Sequence, residues 1–91
     1  MAKANPYVLV VSPKFETVLK SLKRKKQSLL KKLEKQIIKI FKEPTLGKPL
    51  RNALRNYRRI HVDSHVLIYE ICQNEIRLLD FAHHDKIYKR G

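Results

Sequence analysis

The spacing of apolar residues changes twice along this chain, and each change marks a different kind of element. The run Tyr7-Val8-Leu9-Val10-Val11 is short and continuous, as in a buried strand. Ser12-Pro13 follows, an N-cap residue ahead of a proline at the first helical position. From there Phe15, Val18, Leu19 and Leu22 recur at helical spacing, and Lys23-Arg24-Lys25-Lys26 loads the C-terminal end with charge that favours the helix dipole. A break near Gln27 or Ser28 opens a second helix. Its stripe is Leu30, Leu33, Ile37 and Phe41, flanked by Leu29 and Ile40, with Lys31, Lys32, Lys35, Lys39 and Lys42 roughly opposite. Pro44 and Gly47-Lys48-Pro49 end that helix and begin a connector running from Glu43 to Asn56.

From Tyr57 the period falls to two. Tyr57 to Val62 reads as a strand, Asp63-Ser64 as a turn, and His65 to Cys72 as a second strand. Gln73-Asn74 makes a two-residue turn, with Asn tolerant of positive φ, before a third strand from Glu75 to Ala82. His83 to Gly91 is a polar, basic tail. The predicted order is β-α-α-β-β-β: one α+β domain over residues 1–91, with two N-terminal helices packed on a small antiparallel sheet.

Composition adds a partner to this picture. The chain carries 21 Lys and Arg against 8 acids, a formal charge of +13 that repels itself and calls for something anionic: nucleic acid, an acidic protein or an anionic membrane. Residues 20 to 42 hold ten Lys or Arg against the single acid Glu34, more than solubility requires, which points to sequence-independent phosphate contact. A solvated lysine face is the plainer alternative. The longest apolar run, Tyr7 to Val11, is far too short to span a bilayer, and the start Met1-Ala2-Lys3-Ala4-Asn5-Pro6 lacks a secretory pattern. A cytoplasmic protein that does not bind membrane is expected. The lone Cys72 allows no intrachain disulfide and reads as a small buried hydrophobe.

All four histidines, His61, His65, His83 and His84, fall in the last 31 residues. Imidazole changes charge near neutral pH without a perturbing environment, so a histidine cluster in a basic chain suggests proton transfer on a polyanion. In the strand from Tyr57, alternation puts Tyr57, Arg59, His61 and Asp63 on one side and Arg58, Ile60 and Val62 on the other. Cleavage of RNA by its own 2′-hydroxyl needs a base, an acid and cations for the charged phosphorane, and histidine serves either proton role. A half-buried strand histidine bound to backbone is an equal alternative for His61. His65 flanks a turn, and of His83 and His84 only one can face a given site, because neighbours in a strand point opposite ways. His61, Asp63 and His65 are acceptable zinc ligand types, yet the Asp-Ser turn breaks their strand and no fourth ligand completes the set, so no metal site is expected. Arg51, Arg55, Arg58 and Arg59 lie near enough in sequence to grip flanking phosphates. No Gly-rich phosphate loop or nucleophile triad stands out, and no small-molecule cofactor is expected.

The run Lys48-Pro49-Leu50-Arg51-Asn52-Ala53-Leu54-Arg55-Asn56-Tyr57-Arg58-Arg59-Ile60-His61-Val62, followed by Val66-Leu67-Ile68-Tyr69-Glu70-Ile71, resembles the RelE/ParE toxin superfamily, and within it the YafQ-like branch. Nearly the whole chain takes part, most specifically Lys48 to Tyr88. The resemblance implies a toxin of a type II toxin–antitoxin system: a small basic ribosome-dependent mRNA endonuclease held inactive by an acidic antitoxin, with ribosome and mRNA as further partners.

By the same resemblance His61 takes the histidine slot after the Tyr-Arg pair, and His84, four residues before Tyr88, takes the second. Asp63 is the nearest carboxylate for the turn slot, with His65 the other candidate. Lys48 stands where that branch has another histidine, and is a poorer proton carrier at neutral pH. Val66 stands where other RelE-like toxins have an arginine, which favours the histidine-based branch. The implied set is therefore His61, His84, Asp63 and Lys48 for catalysis, with Arg51, Arg55, Arg58, Arg59 and Tyr88 on RNA. Two other readings share the fold: a ParE-like poison that binds gyrase, and a member that only binds RNA or its antitoxin.

Overall fold

Ser12 is where the chain turns from strand to helix. Its hydroxyl accepts the Phe15 amide N–H at 3.1 Å and donates to the Leu79 carbonyl at 3.3 Å, so one side chain both caps the helix and ties it to the sheet. In the computed structural model, which describes residues 7–49 and 57–88 (the last without its side chain), β1 covers Val8–Val11, α1 Pro13–Lys25 and α2 Gln27–Lys42. A 3₁₀ turn at Pro44–Leu46 leads to β2, Lys48–Pro49; β3 is Tyr57–Val62, β4 His65–Cys72, β5 Glu75–His83 and α3 His84–Tyr88.

The sheet order is β1-β5-β4-β3-β2. The meander β3-β4-β5 is antiparallel as its short turns require, but β1 joins β5 in parallel, so the sheet is mixed. A strand that runs straight into a helix has no hairpin partner, and must reach its neighbour through a crossover. β1 is consequently an edge, not the buried strand its sequence predicts; Val8 is 52% exposed. The connector also departs from expectation, since Lys48–Pro49 pairs with Arg58 and Arg59 as a fifth strand. The tail begins with a helix, and β5 runs one residue further than predicted.

One face of the sheet carries the core. Leu67, Tyr69, Ile76, Leu78 and Phe81 meet Phe15 and Leu22 of α1 and Leu33 and Ile40 of α2. The helical stripes do the burying with one shift: in α2 the fully buried residues are Leu33, from the predicted stripe, and Ile40, expected only to flank it. Both hairpin turns place their positive φ on the first residue, Asp63 and Gln73, each at 56°. In the second turn this is Gln73, not Asn74, because a tight hairpin matches strand twist only with left-handed backbone at that position. Leu79 is an extra residue in β5, where the register shifts from Ile68↔Asp80 to Tyr69↔Leu78. Cys72 is half-buried, more open than predicted, because strand alternation puts it on the face opposite Ile71 and the helices.

The connector is pinned from below. The Tyr69 hydroxyl donates to the Pro44 carbonyl at 2.6 Å and accepts the Gly47 amide at 2.8 Å, inside the core. Burial pushes this phenol above its ordinary pKa, partly offset by the Gly47 hydrogen bond and the nearby Arg58. Gly47 is needed here for room: a Cβ would lie 2.7 Å from the Tyr69 hydroxyl and 3.0 Å from the Arg59 carbonyl.

Candidate active site

Alternation along β3 sends His61 and Arg59 to the face that α1 and α2 leave uncovered. The register of β2 sets Lys48 opposite Arg59, so Lys48 joins that face by pairing, far from it in sequence though it is. Across β4, His61 pairs with Val66, and Val66 pairs with Ala82 of β5; Val66 is fully buried there. At the end of β5 the chain turns into α3 without a loop. The His84 amide N–H donates to the Ser64 carbonyl at 2.8 Å, tying α3 to the β3-β4 turn. This brings the His84 ring to 6.1 Å from the His61 ring, centroid to centroid, tilted by 36°. Two histidines 23 positions apart therefore share one surface, both exposed.

The other two histidines take the opposite face. His65 pairs with His83 across β4 and β5, and their rings meet edge to face at 5.5 Å. His65 also stacks on Phe81 at 5.1 Å, and its Nδ1 is buried without a hydrogen-bond partner among the described residues. Burial pushes the His65 pKa below the ordinary imidazole value, Lys26 and His83 push it further, and Asp63 opposes them.

Carboxylates are distributed differently from the sequence expectation. Asp63 Oδ2 lies 2.9 Å from Lys32 Nζ on α2, so it is ion-paired to the basic helix. Asp85, in the first turn of α3, has its Oδ1 3.4 Å from His84 Nδ1 and its Oδ2 3.8 Å from His83 Nδ1. The signal for Asp85 was its adjacency to the His-His pair, but only the helix start shows that a residue next in sequence can curl back onto the ring. Arg58 points to the helix side of β3, where its guanidinium donates to the Gly47 carbonyl at 2.6 Å and the Thr45 carbonyl at 3.3 Å. It holds the connector. Arg51 and Arg55 lie outside the described residues, as does the side chain of Tyr88.

The ParE toxin of type II toxin–antitoxin systems, as a family model, matches residues 9–88. The chain belongs to this family. It is 32% identical to the RelE4 protein of Methanocaldococcus jannaschii over 87 residues, which covers 92% of this chain and 93% of that one. A Methanosarcina mazei protein is 33% identical over 78 residues, 82% of this chain and 86% of its own length. Among solved structures, a YoeB/ParE toxin from Agrobacterium tumefaciens superposes with a TM-score of 0.75 at 15% identity, covering 84% of this chain and 97% of the other. YafQ from Escherichia coli gives 0.64 at 20%, covering 90% and 98%. These last are likenesses of fold alone; the family match and the RelE4 relative place the chain in the RelE/ParE superfamily that its sequence resembles. Among the described residues of this toxin no helix is long and apolar enough to cross a membrane.

Proposed function

We propose that this toxin is an endoribonuclease that cleaves mRNA in the ribosomal A site by metal-independent acid–base catalysis. The observation that carries the reading is the His61–His84 pair, two exposed imidazoles 6.1 Å apart on a surface shared with Lys48 and Arg59. One imidazole takes the proton from a 2′-hydroxyl, whose oxygen attacks the adjacent phosphorus. The other protonates the 5′-oxygen as its bond to phosphorus breaks, leaving a 2′,3′-cyclic phosphate and a 5′-hydroxyl. Lys48 and Arg59 supply positive charge where the phosphorane oxygens gain negative charge, while Arg51, Arg55 and Tyr88 remain candidates for RNA on the sequence reading alone. Asp85, beside His84 Nδ1, favours the tautomer that carries its proton on that nitrogen and leaves Nε2 toward substrate.

The test is mapping of RNA 5′ ends after the purified chain is added to a translating extract. His61→Ala and His84→Ala should each lower cleavage by roughly 10²–10⁴-fold. Undiminished cleavage by both variants would refute the mechanism. The match to ParE favours a second reading, a protein-binding poison of gyrase, which needs no proton-carrier pair; inhibition of supercoiling that survives both substitutions would establish it.

The cognate partner in this reading is an acidic antitoxin in the cytoplasm. Solved complexes of YoeB with YefM from Staphylococcus aureus and of DinJ with YafQ from Escherichia coli have chains similar in fold to this one. A net charge of +13 favours an acidic segment, and exposed Val8, Leu9 and Ile38 beside the edge strand β1 give its apolar side chains a surface.

A further inference from the structure

His83 sits at the one residue where β5 becomes α3. The described residues of α3 are His84–Tyr88, and the first amides of the helix have no carbonyl partner within it. The His84 amide is held by Ser64, and the Asp85 amide donates to His83 Nδ1 at 3.1 Å. His83 is thus the residue immediately before the helix, and its ring nitrogen satisfies a donor that the helix cannot satisfy itself, as an N-cap side chain does.

The ring that accepts this bond is itself fixed. His83 stands edge-on to His65, His65 stacks on Phe81, and Phe81 is 3% exposed in the core. A path of contacts thus runs from the core through two imidazoles to the Asp85 amide, and from there through one residue of backbone to the ring beside His61. His84 follows one residue on, at the start of α3, and its ring lies 6.1 Å from that of His61.

We propose that His83 is a positioning residue: by accepting the Asp85 amide at Nδ1 it fixes the first turn of α3 and so sets the His84 ring against His61. The inference rests on the reading of His61 and His84 as the proton-transfer pair. It makes a specific chemical demand, since the acceptor must lie at the Nδ1 position. Asparagine places its Oδ1 at that distance from the backbone, glutamine places its oxygen one methylene further out, and alanine has no acceptor.

The experiment compares wild-type full-length chain with His83→Ala, His83→Gln and His83→Asn. Each is measured for RNA cleavage in the translating extract, hydrogen exchange of the Asp85 amide, and ring-proton contact between His61 and His84 by NMR. Loss of a cap bond of this kind predicts roughly five- to tenfold slower cleavage for the Ala and Gln variants, with faster Asp85 exchange and a weakened ring contact. The Asn variant should restore all three to within about twofold, and every variant should melt within a few degrees of wild type. Cleavage and ring contact unchanged in His83→Ala, or restored by Gln as fully as by Asn, would overturn the role of His83 and leave the nuclease intact. No cleavage by wild type, with the ring contact still following the Ala, Gln and Asn series, would overturn the nuclease reading and leave the cap as a purely structural one.

Discussion

His65 is the residue whose environment departs furthest from what its sequence neighbours suggest. Beside a turn it reads as an ordinary polar flank, yet it stacks on Phe81 with its Nδ1 buried and unpartnered among the described residues. The fold therefore favours its neutral form, and its pKa lies below the unfolded value of about 6.5. The unfolded chain binds the proton first as pH falls, so stability declines from about pH 6.5 downward and levels off below the folded pKa. Thermal melts between pH 5 and 8 should show this decline, and His65→Phe, which keeps the stack and removes the titration, should flatten it. An equal slope in both proteins would refute the assignment. Gly47 is the other residue whose role is spatial: Gly47→Ala forces a methyl against the Tyr69 hydroxyl and should cost about 1–3 kcal/mol in denaturant unfolding.

Among the elements, α1 and the connector depend on single hydrogen-bonding side chains. Ser12→Ala removes the cap of α1 and its link to Leu79, and should lower stability by about 1 kcal/mol, since both groups are only partly buried. Tyr69→Phe leaves the Gly47 amide and the Pro44 carbonyl without their partner in the core, and should cost about 1–3 kcal/mol. Urea titrations order the two, with Tyr69→Phe the more damaging. The Ser12-Pro13 cap was legible in the sequence because capping is a local event of three or four residues. The Tyr69 hub was not, because its acceptor and donor lie 25 and 22 positions away.

The field of the whole molecule bears on RNA. Single-stranded RNA binding should weaken with salt, with a slope near −0.7 in log K against log salt for each phosphate neutralised. Lys48→Ala and Arg59→Ala should each reduce that slope by about 0.7 if each holds one phosphate. Arg58→Ala should leave the slope unchanged and instead lower stability, because its guanidinium is engaged by the Gly47 and Thr45 carbonyls. Fluorescence titrations at several salt concentrations separate these outcomes; a slope change with Arg58→Ala would return that residue to the RNA surface. The sequence treats Arg58 and Arg59 alike as phosphate ligands. Strand alternation sends them to opposite faces, and on the covered face Arg58 meets the Gly47 and Thr45 carbonyls.

By itself the sequence determined the helices with their buried stripes, the three-stranded meander, the basic surface and the resemblance to a toxin superfamily. The first three are encoded by periodicity, capping and charge over a few residues, and the resemblance by the particular residues at 48–62 and 66–71. Tertiary structure decided the rest: that β1 is a parallel edge strand, that Lys48 lies opposite Arg59, that Asp63 pairs with Lys32 while Asp85 faces His84. It also decided how the histidines divide. His61 and His84 share the open face and His65 and His83 the other, because register and a loopless turn from β5 into α3 set which rings meet, and neither is a property of any local stretch of chain.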